Sequence, residues 1–288
     1  MSKTALLIIY NHRYDQNIGR LESIYKNRFS HIFHIVPFYD GNLSNVIPVY
    51  ESSYYFSGYL SQAYTHLKPM RFTHFFVVAD DMIINPILNE GNLLSEIGLA
   101  EDECYIDYII KMQELDHPWR QTEAMKYVVK QRGVEVSNIL PTIDEAKVQF
   151  DKYKIPYSPI PLRPLIERHF KYIFKYIRYF HRRYLDYPLV GGYADILILT
   201  SDMMDKFTLY CGAFAATSLF VEFAIPTALV LSTDKLRFTT DLKMKSGVMW
   251  PPQDKIFAEK YNYNLSKLIE NYPKDTLYFH PVKLSKWK

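Results

Sequence analysis

The sequence predicts an α/β fold in which a mostly parallel central sheet carries helices on both faces. Short apolar runs rich in β-branched residues, each typical of a buried strand, recur between residues 5 and 79. Segments with apolar residues at helical spacing separate these runs. Strands that alternate with helices favour parallel pairing, because a parallel connection has to cross over the sheet.

The predicted elements follow in a regular order, with Asp15 placed to cap the first helix. Pro48 lacks an N–H donor and therefore indicates an edge or irregular end for the third strand. Two glycines in "LVGGYADI" (189–196) permit a close backbone approach, which we interpret as the edge of a ligand site. Strands are predicted at 5–10, 31–36, 45–50, 73–79 and 193–200, and helices at 15–29, 53–67, 202–211 and 216–231.

Composition excludes several classes of protein. Nearly half of the 288 residues are apolar, so the chain is globular and not disordered. A net charge of +3 is too small to indicate nucleic-acid binding. Cys104 and Cys211 lie far apart without metal-ligand spacing, and the N-terminal apolar run is too short for a signal peptide. We therefore expect a cytoplasmic protein. The 25 tyrosines suit stacking on sugars or bases, or a place at a membrane surface.

The segment 211–232 is long and apolar enough to cross a bilayer, but Glu222 lies at its centre and Pro226 follows. A charge in mid-bilayer is costly, so the segment is predicted to be buried protein interior. Glu222 then has two interpretations. It is either a structural carboxylate paired with Arg or Lys, or a catalytic carboxylate whose pKa burial raises.

Two adjacent carboxylates, Asp80 and Asp81, end the predicted strand in "VVADDMI" (77–83). Neighbouring carboxylates repel each other and resist burial, so they indicate either a solvated turn or a bound cation. Hard divalent cations are usually held by one or two carboxylates together with phosphate oxygens. A metal site here would therefore imply a phosphorylated ligand.

This arrangement resembles the GT-A class of nucleotide-sugar glycosyltransferases, a Rossmann-like αβα sandwich with an Asp-x-Asp signature after an inner strand. The resemblance implies Mn²⁺ or Mg²⁺ on Asp81, and a ribose or metal contact for Asp80. A strict signature would need an acid at Ala79 or Met82. The C-terminal "FHPVKLSKW" (279–287) is similar to the late motif of glycogenin-like enzymes, although the usual Gly and Pro are absent.

The late motif implies that His280 completes the metal site and that Lys283 and Lys286 contact the diphosphate, with the tail ordering on binding. The resemblance also places the nucleotide base at "YNHR" (10–13), where the alternative is a polar turn. It makes Glu222 the catalytic base of an inverting enzyme, and Asp195 the second candidate or a partner of the donor sugar. The implied base contacts are Tyr10, Asn11 and His12.

The segment 163–184 places apolar residues on one helical face and four cations on another. It is interpreted either as an ordinary surface helix or as a helix that docks on anionic lipid at the inner face of a membrane. The four cations are Lys171, Lys175, Arg178 and Arg182.

Together these features predict one domain, 1–288, with a nucleotide-binding half (1–100), a helical and loop insertion (101–185), and an acceptor half with the tail (186–288). The predicted function is metal-dependent transfer of a sugar from a nucleoside diphosphate sugar, UDP-sugar first, to a hydroxyl of a glycan or lipid-linked acceptor. The alternatives are a non-catalytic membrane-associated scaffold with the same fold and a metal-dependent phosphohydrolase.

Overall fold

The computed structural model describes residues 3–115, 117–136, 138–161 and 178–288. Within these residues a seven-stranded sheet crosses the molecule in the order β10-β6-β9-β4-β1-β2-β3. Two small sheets, β5 with β11 and β7 with β8, lie beside it. The strands are β1 Thr4–Ile9, β2 Ile32–Pro37, β3 Val46–Val49, β4 His74–Ala79, β5 Ile83–Ile84, β6 Cys104–Ile106, β7 Ile109–Ile110, β8 Gly191–Gly192, β9 Ile196–Thr200, β10 Leu236–Arg237 and β11 Tyr278–Phe279.

The central sheet is mostly parallel, which confirms the predicted fold class. Strands β1 to β4 pair in parallel, as do β10 and β6, whereas β9 runs antiparallel to both β4 and β6. The strand that contains Pro48 is the last in the order, so its missing N–H falls on an edge as expected.

Both faces of the sheet are covered by helices, because side chains alternate along each buried strand. In β1, Leu6 and Ile8 pack into one apolar layer, whereas Leu7 and Ile9 pack into the other. The layer around Leu7 receives α2 and α4 to α7, and the layer around Leu6 receives α1, α3, α8 and α9. The helices are α1 Ile18–Tyr25, α2 Ser57–Leu67, α3 Leu93–Ile97, α4 Pro118–Lys126, α5 Ile143–Lys152, α6 Ser201–Ala216, α7 Val221–Ser232, α8 Gln253–Lys260 and α9 Leu265–Glu270.

Three boundaries differ from the sequence-based expectations. The predicted helix 216–231 begins at Val221, because residues 217–220 form the turn between α6 and α7. Strand β6 lies inside the segment 101–185, so the predicted insertion contributes to the central sheet. Most of the predicted basic helix, 163–177 with Lys171 and Lys175, lies outside the described residues. Its described end, 178–184, contains a 3₁₀ turn and is not α-helical.

Segment 211–232 is divided between α6 and α7, and both helices are largely buried in the protein. Among the described residues, no helix combines the length and the apolar character that crossing a membrane requires. The predicted buried interior is therefore confirmed for this segment.

The two glycines of "LVGGYADI" form β8, which packs under α7. A Cβ on Gly192 would lie 2.6 Å from the carbonyl oxygen of Tyr108 and 2.9 Å from Cγ of Pro226. The close approach expected from the sequence is therefore made to protein backbone and to a helix, where a side chain has no room.

We expect Gly192→Ala to lower the free energy of unfolding by about 1–3 kcal/mol through overpacking. Gly19→Ala is the matched control, since a Cβ there has nothing within 4 Å, and alanine inside a helix should gain about 0.5–1 kcal/mol. Urea denaturation monitored by circular dichroism measures both values. Equal stability of the two variants would contradict the packing described here.

Candidate active site

The polar residues of the candidate site meet at one edge of the central sheet. Strands β1 and β4 end there, followed by Asn11 and His12 after β1 and by the acidic pair after β4. Because β9 runs antiparallel, its beginning lies at the same edge, and the backbone N–H of Ala79 donates to the carbonyl of Asp195 at 3.0 Å. The direction of β9 therefore brings Asp195 beside the acidic pair.

Asp80 is buried at this edge, with 4 % of its surface exposed. Its backbone N–H donates to the Ile9 carbonyl at 2.9 Å, and the side-chain amide of Asn17 donates to Oδ2 at 3.2 Å. Burial, followed by the charge of Asp81, raises the pKa of Asp80 to about 7. A cation at this position would favour the ionised carboxylate.

Asp81 and His280 form a close pair. The Oδ1 atom of Asp81 lies 2.9 Å from Nε2 of His280, yet this buried oxygen has no hydrogen-bond partner among the described residues, so the contact is close without being aligned as a hydrogen bond. The hydroxyl of Tyr193 lies 2.5 Å from Nδ1 and fixes the ring. Burial opposes a charge on His280, but the contact with Asp81 and the charges of Asp195 and Asp80 raise its pKa.

These two side chains fit a cation that takes most of its ligands from elsewhere. Among the described residues, no three His, Cys, Asp or Glu side chains form a group that could hold a metal ion by themselves. The orphaned Oδ1 of Asp81 and the ring nitrogen beside it offer two ligands. Mg²⁺ is typically held by one or two carboxylates, with phosphate oxygens and water completing the coordination, so Asp81 supplies the carboxylate of such a site and His280 adds a nitrogen ligand.

The C-terminal segment that carries His280 belongs to the folded core. Strand β11 pairs with β5, and the backbone N–H of Val282 donates to the Asp81 carbonyl at 2.6 Å. Trp287 is buried, and its carbonyl accepts from Arg20 at 2.9 Å. The expectation that this tail orders only on binding is therefore wrong, because its apolar side chains are already packed.

Two cavities lie at this edge of the sheet, and Asn11 and His12 line both of them. The first cavity, of about 310 Å³, is also lined by Tyr14, Asp80, Asp81 and Lys283. The second cavity, of about 330 Å³, is also lined by Tyr54, Asp195, Phe220 and Glu222. Of the two lysines predicted to contact the diphosphate, Lys283 lines the same cavity as the acidic pair. Lys286 lines a neighbouring cavity with Trp287 and Lys283.

Tyr10 does not reach either cavity. It is fully buried, and its hydroxyl lies 2.8 Å from Nδ1 of His34, so the ring presents no face on which a base could stack. Tyr14 was missed by the sequence reasoning, although it lines the first cavity with 44 % of its surface exposed and packs edge-on against His12. An aromatic residue in the loop after the first strand was the available signal.

The surroundings of Glu222 contain both features that its two interpretations require, a cationic partner and a cavity. It lies in the first turn of α7 and lines the second cavity, while its Oε2 accepts from Nε of Arg120 at 2.8 Å. Burial raises the pKa of Glu222, and Arg120 partly offsets that effect. Burial also raises the pKa of Asp195 to about 6, and its charge interacts with that of Glu222. The second cavity thus contains two carboxyl groups suited to accepting protons.

The raised pKa of Asp80 predicts a pH-dependent cost to stability in metal-free protein. Between pH of about 4, where an unfolded aspartate ionises, and about 7, the folded state retains a proton that the unfolded state loses, so stability falls as pH rises. We expect Asp80→Asn to stabilise the protein, with a gain that grows from pH 5 to pH 8 in urea denaturation with EDTA. Asp40→Asn is the control, because Arg13 lowers the pKa of Asp40, and this variant should show no such growing gain.

Comparisons with known proteins found similarity in structure but no match in sequence. No family model matches the sequence, and neither does any curated protein. One similar solved structure is that of core-mannan synthase A from Aspergillus fumigatus in its Mn/GDP form. It shares 10 % identity with this chain at a TM-score of 0.39, and the match covers 84 % of this chain and 74 % of that one. At this level the likeness supports no conclusion about activity.

Proposed function

We propose that this protein is a metal-dependent glycosyltransferase of the GT-A type that uses a nucleoside diphosphate sugar as donor. The observation that carries the proposal is the close contact of Asp81 Oδ1 with His280 Nε2, because Asp81 shares its cavity with Lys283. A second cavity, which shares Asn11 and His12 with the first, is lined by the carboxyl groups of Asp195 and Glu222. This arrangement supports a diphosphate on one side of a cation and a sugar and its acceptor on the other.

In this proposal each side chain has a separate task. Asp81 and His280 would hold Mn²⁺ or Mg²⁺, and a cation there would supply positive charge to a departing diphosphate. Lys283 adds a positive charge beside the phosphates. Asn11, His12 and Tyr14 border the space for the nucleoside, and Asp80 contacts the ribose or the metal.

The second cavity would hold the transferred sugar and the acceptor hydroxyl. Glu222 acts there as the general base of an inverting reaction and removes the proton of the acceptor hydroxyl, while Asp195 binds hydroxyls of the donor sugar. Arg120 fixes the Glu222 carboxylate in its position at the cavity wall.

Ligand-dependent thermal stability tests the proposal against its two alternatives. We expect one nucleotide sugar from a panel of UDP-, GDP- and ADP-sugars to raise the melting temperature with manganese and not with EDTA. A scaffold would bind no donor in a metal-dependent manner. A phosphohydrolase would release phosphate from the bound ligand without needing an acceptor, which a phosphate assay on the same samples detects.

A further inference from the structure

Exposed aromatic side chains border the second cavity. Tyr54 and Trp119 have 40 % and 47 % of their surfaces exposed, and both contact Phe220, with ring centroids 4.4 Å and 5.7 Å away. We call Tyr54, Phe220 and Trp119 the aromatic wall. Phe220 lines the cavity with Tyr54, and Trp119 extends the wall beyond its rim. Contiguous exposed apolar surface of this kind is typical of ligand-binding sites.

The aromatic wall is held in place from two sides. In α4, Glu123 lies four positions after Trp119 and three after Arg120, a spacing that makes it a neighbour of both side chains on the helix surface. Burial, followed by the charge of the nearby Glu123 carboxylate, raises the pKa of the Tyr54 hydroxyl. The Arg120 guanidinium lies 5.2 Å from the centre of the Trp119 ring and also binds Glu222. The same helix therefore positions both the wall and the candidate base.

Polar side chains also line this cavity. Asn11, His12, Asp195 and Glu222 provide amide, imidazole and carboxyl groups facing the space that the aromatic wall borders. A ligand that suits both the aromatic rings and the polar side chains has an apolar face for the rings and several hydroxyls along its edge. A pyranose ring has this form. An acyl chain would cover these polar groups without offering them hydrogen bonds, which is unfavourable in a buried site.

We propose that the second cavity takes a pyranose ring of an acceptor glycan, which stacks on the aromatic wall while one of its hydroxyls faces Glu222. This inference rests on the proposed function and narrows its acceptor to the sugar itself. The aromatic wall then selects the acceptor, whereas the acidic pair and Lys283 bind the donor.

Saturation-transfer NMR with small glycosides tests the inference directly. A panel of methyl hexopyranosides and methyl N-acetylhexosaminides is added to the full chain in the presence of UDP and manganese. We expect transfer from aromatic protein protons to ring C–H protons of at least one glycoside. Trp119→Ala should weaken that binding about tenfold, the scale of one lost aromatic contact, and Trp119→Phe should retain most of it.

Trp250→Ala is the matched control, because Trp250 has 55 % of its surface exposed but, unlike Trp119, makes no ring contact with Phe220 of the second cavity. It should bind the glycoside as wild type does. If UDP binds but no glycoside receives saturation, or if Trp119→Ala and Trp250→Ala bind equally well, the acceptor inference is overturned and the donor proposal stands. If none of UDP, GDP and ADP binds with manganese, the proposed function itself fails.

Discussion

Asp81→Asn is expected to weaken manganese-dependent binding of the nucleoside diphosphate by more than about 100-fold, since losing even an outer partner of a metal ligand costs about 10–100-fold. The amide keeps the shape of the side chain but removes the negative charge beside His280. Because Oδ1 of Asp81 has no hydrogen-bond partner among the described residues, the substitution removes no hydrogen bond there, and the melting temperature of the variant reports any cost of burying the new amide group. Isothermal titration calorimetry with UDP, with manganese and with EDTA, gives the affinities.

Asp40→Asn serves as the control for that experiment, because Asp40 follows another strand at the same edge of the sheet and pairs with Arg13 away from the cavities. Its affinity for UDP should match that of wild type. Unchanged binding by Asp81→Asn with an unchanged melting temperature would remove Asp81 from the proposed metal site and would leave the His280 pair without a function in donor binding.

The apolar pattern predicted the first half of the fold well. Four of its strands and the helices between them appear close to their predicted bounds, because each segment has a single dominant period. The direction of β9 could not be obtained in this way. A strand buried on both faces has the same apolar pattern in parallel and in antiparallel pairing. The connection that decides the direction of β9 also includes residues outside the described ranges.

Local sequence also located part of the site. Asp80 and Asp81 could be placed at the end of a buried strand, and that strand end defines their position in the fold. The assignment of Tyr10 to the cleft was wrong, and the alternation of side chains along the first strand already indicated a buried position. Leu6 and Ile8 face the same apolar layer, and the strand alternation carries Tyr10 into that layer as well.

The partners of the site residues were beyond the reach of the sequence. Arg120 meets Glu222 across 102 positions of the chain, and Tyr193 meets His280 across 87. Such contacts depend on how α4, β8 and β11 pack around the sheet edge, and no local spacing encodes them. The sequence indicated that Glu222 requires either a cationic partner or a place in a cleft. In the fold it is paired with Arg120 and also lines the second cavity.

Glu222→Gln is expected to lower turnover by about two to four orders of magnitude, the usual contribution of a general base. The substitution keeps the shape of the side chain, and its amide oxygen can still accept from Nε of Arg120. We therefore expect the affinity for UDP with manganese to remain within about twofold, and stability to fall by no more than the roughly 1–3 kcal/mol of a weakened buried hydrogen bond. Release of UDP from the donor, with the glycoside acceptor present, measures turnover.

Arg120→Gln separates the two roles of the ion pair. It retains the base but removes the cation that lowers the pKa of Glu222, so burial raises that pKa further and the acidic limb of the pH–activity profile should move to higher pH. Glu222→Gln should lose that limb altogether. If Glu222→Gln instead melts early and keeps its specific activity, Glu222 is a structural partner of Arg120. Asp195, whose pKa of about 6 also suits proton transfer, then becomes the base to test by Asp195→Asn.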